Sequence, residues 1–203
     1  IEDRKQEVYA IDYLLDKIDS SEIIKMPEES RIEGGDVIVW NEYIFVGYSN
    51  TKDFNKYTSA RTNYAGLNFI KKTFANKKVI GLELNKSDDN ARENALHLDC
   101  CFQPIGNKKA IIYEGGFKNT EDILLLINKF GNENLIRISK EEMYNMNSNV
   151  FSISENVIVS EISFKRLNNI LRDLGFIVEE IKFSEIAKME GLFRCTTLPL
   201  HRI

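Results

Sequence analysis

Long apolar runs and cysteines are both scarce in this sequence. The longest apolar stretches, such as residues 123–127, are far too short to span a bilayer, and no signal peptide with basic, apolar and cleavable parts is recognisable. Two of the three cysteines are adjacent and the third is remote, which excludes a disulfide framework and a zinc-binding spacing. We therefore expect a soluble, cytoplasmic protein that binds no metal and contacts no membrane.

An excess of basic residues is also lacking. The sequence has 27 lysines and arginines against 31 acidic residues, a net charge of −4, and a pI near 5.4. A nucleic-acid-binding surface needs a basic footprint, so nucleic acid is not an expected partner. The hydrophobic content of 43% and the charged content of 29% are those of an ordinary globular protein, and we expect residues 1–203 to form one domain.

The order of predicted elements repeats along the chain. Runs rich in β-branched and aromatic residues predict hairpins at residues 37–46, 98–113 and 150–160. An amphipathic helix and one more strand follow each hairpin. The unit strand-strand-helix-strand therefore occurs three times, starting at Asp36, Leu98 and Val150, which predicts an α/β fold built from repeats.

Two further predictions concern helices. Apolar residues at three- and four-residue spacing predict an amphipathic helix over residues 4–18 with one buried face. Ser59 is a candidate N-cap for the helix that follows the polar loop at residues 48–59, which would place Arg61 in the first helical turn. A cation is unfavourable at that end of a helix dipole unless it binds an anion.

Cys195 is the candidate nucleophile. It lies between a turn that begins at Gly191 and a short apolar run closed by Pro199. The adjacent Arg194 should favour the thiolate over the thiol. The alternative is that Cys195 is a small apolar side chain buried at the end of a strand.

Two upstream segments carry further candidate groups. Glu33 precedes paired glycines that permit a turn or bulge, so it lies either at the mouth of the first hairpin or on the surface beside a bulge. His97 and Asp99 would share one face of an extended segment, although a lone histidine is more often structural. A ring of repeated units would bring these groups together as nucleophile, proton-transfer group and carboxylates for orientation or cation binding.

Three short segments, taken in order, resemble the signature segments of the guanidino-group-modifying superfamily of arginine deiminases, dimethylargininases and amidinotransferases. They are Glu33-Gly34-Gly35-Asp36, His97-Leu98-Asp99 and Arg194-Cys195-Thr196-Thr197-Leu198-Pro199-Leu200. The resemblance implies a pentein, a five-bladed α/β propeller of strand-strand-helix-strand units around a central site. It also implies that the first unit is incomplete here and that an N-terminal segment is missing.

The resemblance implies catalytic roles for three residues. Cys195 would attack the guanidino carbon and form a covalent thiouronium intermediate. His97 would protonate the departing amine and then deprotonate the incoming water. Glu33 would be the carboxylate beside that histidine.

The resemblance also implies the binding residues. Asp99 would hold the guanidinium by paired hydrogen bonds, Asp36 would contribute to substrate binding, and Arg61 would bind the α-carboxylate of the substrate.

The reaction implied is hydrolysis of the guanidino group of arginine or a substituted arginine, giving citrulline with ammonia or an alkylamine. The partner would be this small guanidino substrate, no cofactor would be needed, and a homodimer would be compatible with this assignment. Two alternatives stay open: an amidinotransferase, in which an amine resolves the intermediate, and a non-catalytic binding or scaffold protein of the same fold.

Overall fold

A computed structural model of the protein describes residues 9–188 and 191–197. Within these residues the strands form three sheets of three strands each. The strands are β1 Val37–Trp40, β2 Tyr43–Tyr48, β3 Lys78–Glu83, β4 Phe102–Ile105, β5 Lys109–Ile112, β6 Leu135–Arg137, β7 Phe151–Ser152, β8 Val157–Glu161 and β9 Ile177–Ile181. The helices are α1 Asp12–Leu15, α2 Thr51–Lys56, α3 Tyr64–Thr73, α4 Thr120–Phe130, α5 Lys140–Tyr144, α6 Lys165–Asp173 and α7 Ser184–Ala187.

Each sheet has the same topology. The first two strands form an antiparallel hairpin, and the third strand pairs in parallel with the second after a helical connection through α3, α4 or α6. A parallel pair requires such a crossover connection, whereas an antiparallel pair needs only a short turn. The predicted threefold repeat of strand, strand, helix and strand is therefore confirmed.

Local chemistry fixes the turns of these units. Asn41 has a φ of +53° in the first hairpin and Gly106 has a φ of +52° in the second, a region that asparagine and glycine tolerate best. Gly175, with a φ of +90°, follows α6 and ends it, as expected for a C-terminal glycine.

One hydrophobic core joins the three units. Phe45 of the first unit contacts Phe102 of the second edge to face, with ring centroids 5.2 Å apart. The same cluster continues through Phe130 to Ile158 and Leu167 of the third unit. Because these side chains are fully or almost fully buried, the core holds the three sheets in fixed positions and so fixes the loops between them.

The N-terminal helix is shorter than predicted. Of the predicted residues 4–18, residues 4–8 lie outside the described part of the chain, and only Asp12–Leu15 are α-helical in the rest. The predicted buried face is wrong for the described part, since Ile11, Leu14 and Ile18 are exposed. A helical stripe without a packing partner gains little stability, which accounts for the short helix.

The predicted N-cap is also wrong. Asn63, rather than Ser59, caps α3, because its side-chain oxygen accepts a hydrogen bond from Gly66 N at 2.8 Å. Arg61 therefore precedes the helix and does not lie in its first turn. The polar loop at residues 48–59 contains the short helix α2, which Asn50 caps through a bond from Asp53 N.

Across residues 9–188 and 191–197, the helices are all too short or too polar to cross a lipid bilayer.

Candidate active site

The segments that lead into the first strand of each unit meet at one place. Gly34–Asp36 forms a 3-10 turn before β1, Leu98–Cys100 forms another ahead of β4, and residues 146–149 lead into β7. These three segments and the turn at residues 193–196 are joined by hydrogen bonds between distant parts of the chain. The repeat therefore places equivalent loops around one cluster of polar side chains.

His97 and Glu33 form an ion pair at the centre of this cluster. Nε2 of His97 lies 2.7 Å from Oε2 of Glu33, and the two side chains are 15% and 25% exposed. Burial lowers the pKa of His97, but the hydrogen bond to Glu33 and the charges of Asp36 and Asp99 outweigh it and leave the pKa raised. His97 is therefore more extensively protonated at neutral pH than a free histidine.

The glycine pair allows this arrangement. A Cβ atom on Gly35 would lie 2.8 Å from Cγ of His97, which is closer than carbon atoms tolerate, whereas a Cβ on Gly34 would meet nothing within 4 Å. Only Gly35 is therefore needed for the close approach of the imidazole to the backbone.

Asp36 connects the segments of the cluster through hydrogen bonds. Its side chain is buried, with Oδ1 accepting a bond from Leu98 N at 2.9 Å and Oδ2 accepting one from Thr62 Oγ1 at 2.6 Å. The hydroxyl of Thr62 also accepts a bond from Glu33 N. Burial raises the pKa of Asp36. These bonds join the segment that carries Glu33 to the turn that follows His97. Direct contact between Asp36 and a substrate stays a prediction.

His97 and Asp99 come together by a turn and not by strand alternation. His97 is extended, but Leu98–Cys100 form a 3-10 turn closed by bonds from Cys100 N to His97 O and from Cys101 N to Leu98 O. The predicted extended segment is wrong because Asp36 and this turn take up the backbone N–H groups that a strand would use. A ring nitrogen of His97 and a carboxylate oxygen of Asp99 nevertheless lie within 4.8 Å of each other.

Asp99 is a buried carboxylate with weak hydrogen-bond donors. It is 1% exposed, and within the described residues its carboxylate oxygens accept bonds only from two thiols, Cys195 Sγ at 3.7 Å and Cys100 Sγ at 3.8 Å. Burial raises its pKa from 3.8 to about 6, while His97 and Arg194 partly oppose this rise. A buried carboxylate that lacks strong donors is suited to a cationic ligand.

Cys195 lies in a turn beside Asp99. The turn is closed by a bond from Thr196 N to Leu192 O, and the residue is exposed, so the alternative of a buried side chain at a strand end is wrong. Partial burial of the thiol and the charge of Asp99 raise the pKa of Cys195, although bonds from backbone and from Asn149 lower it. Free Cys195 is therefore mainly a thiol near neutral pH.

The prediction that the neighbouring Arg194 leaves Cys195 in the thiolate form is wrong for the free protein, because burial and the charge of Asp99 raise the pKa of the thiol. Arg194 Nη2 donates to Val37 O at 3.0 Å, and the charge of Arg194 lowers the pKa of Asp99.

The other two cysteines are poorly suited to act as nucleophiles. Cys100 and Cys101 are buried in the described structure, and burial raises the pKa of each thiol well above its ordinary value. Cys100, His97 and Asp99 form a group that could ligate a metal ion, which the sequence spacing did not indicate. A thiol must lose its proton to ligate a metal, and the raised pKa of Cys100 opposes that loss.

Arg61 forms a second ion pair with Glu33. Its Nη1 is 3.6 Å from Oε1 of Glu33, and its side chain is 14% exposed. Among the described residues, its buried Nε and Nη1 atoms have no hydrogen-bond partner within bonding distance. A buried guanidinium with unsatisfied donors can accommodate an anionic ligand.

Asn149 is a site residue that the sequence analysis missed. Its Nδ2 lies 3.2 Å from Cys195 Sγ, and its Oδ1 accepts bonds from Arg194 N and Cys195 N. The asparagine-rich run at residues 144–149 is typical of a turn, which hides this role. Its place ahead of β7, equivalent to those of Asp36 and Asp99 in the other units, is the signal that could have revealed it.

The sequence matches the family described as N,N dimethylarginine dimethylhydrolase, eukaryotic, over residues 2–202. YkgA of Bacillus subtilis is 29% identical over 174 residues, which cover 86% of this chain and 54% of YkgA. An arginine deiminase of Streptococcus sanguinis is 26% identical over 204 residues, which cover 86% of this chain and 47% of that enzyme. The chain thus spans about half the length of these relatives.

Two solved structures share the fold. One is the N-terminal domain of ArgZ, an arginine dihydrolase from the ornithine-ammonia cycle in cyanobacteria, which was solved with its product. It has a TM-score of 0.76 at 21% identity, and the match covers 95% of this chain and 64% of that domain. A cysteine-to-serine mutant of DDAH from Pseudomonas aeruginosa, complexed with citrulline, has a TM-score of 0.70 at 19% identity, covering 94% of this chain and 64% of that chain.

The match covers nearly the whole sequence, and the α/β units of the structure agree with those of ArgZ and DDAH. On this basis the chain belongs to the N,N-dimethylarginine dimethylhydrolase family, within the guanidino-group-modifying superfamily.

Proposed function

We propose that the protein is a cysteine-dependent hydrolase of the guanidino group of arginine or a substituted arginine. The observation that carries the proposal is the buried Asp99 carboxylate, which lies beside the Cys195 thiol and lacks strong donors among the described residues. A planar guanidinium would supply the paired N–H donors that Asp99 lacks. The names of the relatives, arginine deiminase, arginine dihydrolase and dimethylarginine dimethylhydrolase, support the same reaction class.

Substrate binding would generate the nucleophile. The charge of Asp99 raises the pKa of Cys195 in the free protein. A guanidinium bound to Asp99 places a positive charge next to Sγ, which offsets that effect and favours the thiolate, and the thiol proton passes to solvent. The thiolate then attacks the guanidino carbon, and an S–C bond forms.

His97 would act as both acid and base. Its raised pKa increases the fraction of His97 that is protonated, and the protonated form can give a proton to the amine that leaves when the C–N bond breaks. The neutral imidazole then removes a proton from water, which attacks the same carbon. The hydroxyl of the resulting adduct loses its proton to solvent as the C–S bond breaks, Cys195 returns as thiolate, and citrulline and ammonia or an alkylamine are the products.

Two further assignments belong to this proposal. Arg61 would bind the α-carboxylate of the substrate through its unsatisfied N–H groups. The three observed units would belong to a ring of five, and residues 1–203 to one catalytic domain, because the longer ArgZ domain shares the fold of the units seen here.

The test measures ureido products in the full-length protein with arginine, dimethylarginine and agmatine as substrates. We expect citrulline from at least one of the two amino acids and weaker turnover of agmatine, which lacks the carboxylate. Cys195→Ala should abolish turnover, whereas Cys101→Ala, which removes a buried thiol of the core, should retain most of it.

Two outcomes would contradict the proposal. Ornithine formed from arginine only when glycine is present would indicate an amidinotransferase. A folded protein that binds arginine but converts none of the three substrates would indicate a binding or scaffold protein.

A further inference from the structure

The side-chain amide of Asn149 is completely buried and lies between the backbone of the Cys195 turn and the Cys195 sulfur. Its Oδ1 accepts bonds from Arg194 N at 3.0 Å and from Cys195 N at 3.3 Å. Since two backbone N–H groups occupy the oxygen, the orientation of the amide is determined, and Nδ2 must face Sγ. One side chain therefore fixes the turn and also offers an N–H donor to the sulfur.

The loop that carries Asn149 is itself held in place. Asn149 N donates to Met146 O at 2.9 Å, and Met146 has a φ of +63°, a conformation that a non-glycine residue adopts only when its surroundings require it. The neighbouring Ser148 Oγ donates to Asp99 O at 2.9 Å. Residues 146–149 thus hold both the segment of Asp99 and the turn of Cys195.

We propose that Asn149 is a positioning residue that holds the Cys195 sulfur beside Asp99 and stabilises it as a thiolate. The proposal rests on the proposed function, since it matters where Cys195 is the nucleophile. An amide is suited to this role because it accepts from the backbone with one atom and donates to sulfur with the other. An N–H donor favours a thiolate over a thiol and also stabilises the thiolate that returns when the C–S bond breaks.

Two substitutions distinguish the role of the Asn149 oxygen as a backbone acceptor from the role of its N–H group as a donor to Sγ. Asn149→Asp keeps an oxygen for the two backbone N–H groups but replaces the donor to Sγ with a second acceptor. Asn149→Ala removes both. Asn168→Asp is the matched control, because Asn168 is an equally buried asparagine of the third unit that bonds Ser160, Glu161 and Glu180 instead of the site.

The readout is the pH dependence of iodoacetamide alkylation of Cys195 in the substrate-free protein, followed by peptide mass mapping so that the buried Cys100 and Cys101 are counted separately. A hydrogen bond to a charged group corresponds to about a tenfold to a hundredfold change in the thiolate fraction, so the midpoint should rise by about 1–2 pH units in both Asn149 variants. The rise should be greater for Asn149→Asp, and Asn168→Asp should not shift the midpoint.

Steady-state kinetics and a measurement on the wild type complete the test. We expect kcat for citrulline formation to fall by about tenfold or more in the Asn149 variants with little change in KM, since the thiolate and not the substrate site is affected. If neither variant folds, the Asn149 side-chain amide protons in the ¹⁵N-labelled wild type should titrate with the same midpoint as Cys195 alkylation.

A wild-type alkylation profile in folded Asn149→Asp, or an amide signal that does not follow the thiol, would overturn the proposal. An equal shift in Asn168→Asp would also overturn it, because the effect would then be general destabilisation. The alkylation assay needs no substrate, so it separates the two proposals. A wild-type protein that makes no citrulline but shows the predicted shift would contradict the hydrolase function and support the Asn149 contact.

Discussion

Asp99 should lower the stability of the protein while enabling its proposed reaction. It is 1% exposed, and its partners among the described residues are mainly thiols, which are weak donors. Asp99→Asn keeps the shape of the side chain and removes the charge. We expect this variant to be more stable than the wild type at neutral pH and to have lost hydrolysis, because a neutral amide does not hold a guanidinium.

The magnitude follows from the pKa. Burial raises the pKa of Asp99 from 3.8 to about 6 in the folded protein, so between these values the folded state binds more protons than the unfolded state. Stability therefore falls as the pH rises through this range. The full effect is about 3 kcal/mol, of which about 2 kcal/mol falls between pH 4.5 and pH 7.5.

Urea unfolding of both proteins at pH 4.5 and pH 7.5 measures this effect. The stability advantage of Asp99→Asn over the wild type should grow by about 2 kcal/mol from the lower to the higher pH, or by about 4–8 °C in Tm for a chain of this size. Comparing the two pH values cancels any fixed difference between amide and acid. Alkylation of Cys195 should also become easier, because the charge of Asp99 raises the thiol pKa.

Asp88→Asn supplies a control of opposite sign. Bonds from Thr58 N and Ser59 N lower the pKa of Asp88, so its ionised form stabilises the fold above its unfolded pKa, and this contribution is lost as the pH falls. Asp88→Asn should therefore lose stability relative to the wild type as the pH rises. An advantage of Asp99→Asn that is constant with pH, or that shrinks toward pH 7.5, would refute the account of Asp99.

Three further predictions concern the site. Glu33→Gln removes a hydrogen bond that raises the pKa of His97, so the pH at which kcat/KM falls on the alkaline side should be lower in the variant. An alkaline side of the pH profile that is the same in variant and wild type would exclude His97 as the acid. Gly35→Ala should reduce activity strongly and lower the stability by about 1–3 kcal/mol, because its Cβ would collide with the His97 imidazole. Gly34→Ala should retain activity, since a Cβ there meets nothing within 4 Å. Citrulline assays and thermal melting measure both effects, and equal losses in the two variants would contradict this reasoning. Arg61→Met should raise KM for arginine by about tenfold to a hundredfold and leave agmatine nearly unchanged, and an equal effect on both substrates would show that the residue does not bind the carboxylate.

Much of the fold was predictable because its signals are local. Strands β1 and β2 follow from two runs of β-branched and aromatic residues around Asn41, as the sequence indicates. The predictions of a long N-terminal helix and of Ser59 as an N-cap were wrong for a common reason. Apolar spacing and cap chemistry identify candidates, but packing partners decide whether a stripe is buried and which side chain reaches the free N–H groups.

The sequence by itself determined the repeated α/β units, the superfamily and the candidate groups Glu33, His97, Asp99 and Cys195, since these depend on periodicity and on residue types in short segments. Only the tertiary structure decided how the groups meet. Glu33 and His97 are 64 residues apart, Cys195 and Asp99 are 96 apart, and Asn149 and Cys195 are 46 apart. No local pattern specifies such contacts or the direction of the Arg194 side chain, because the packing of three units around one core sets both the distances and the burial that shifts each pKa.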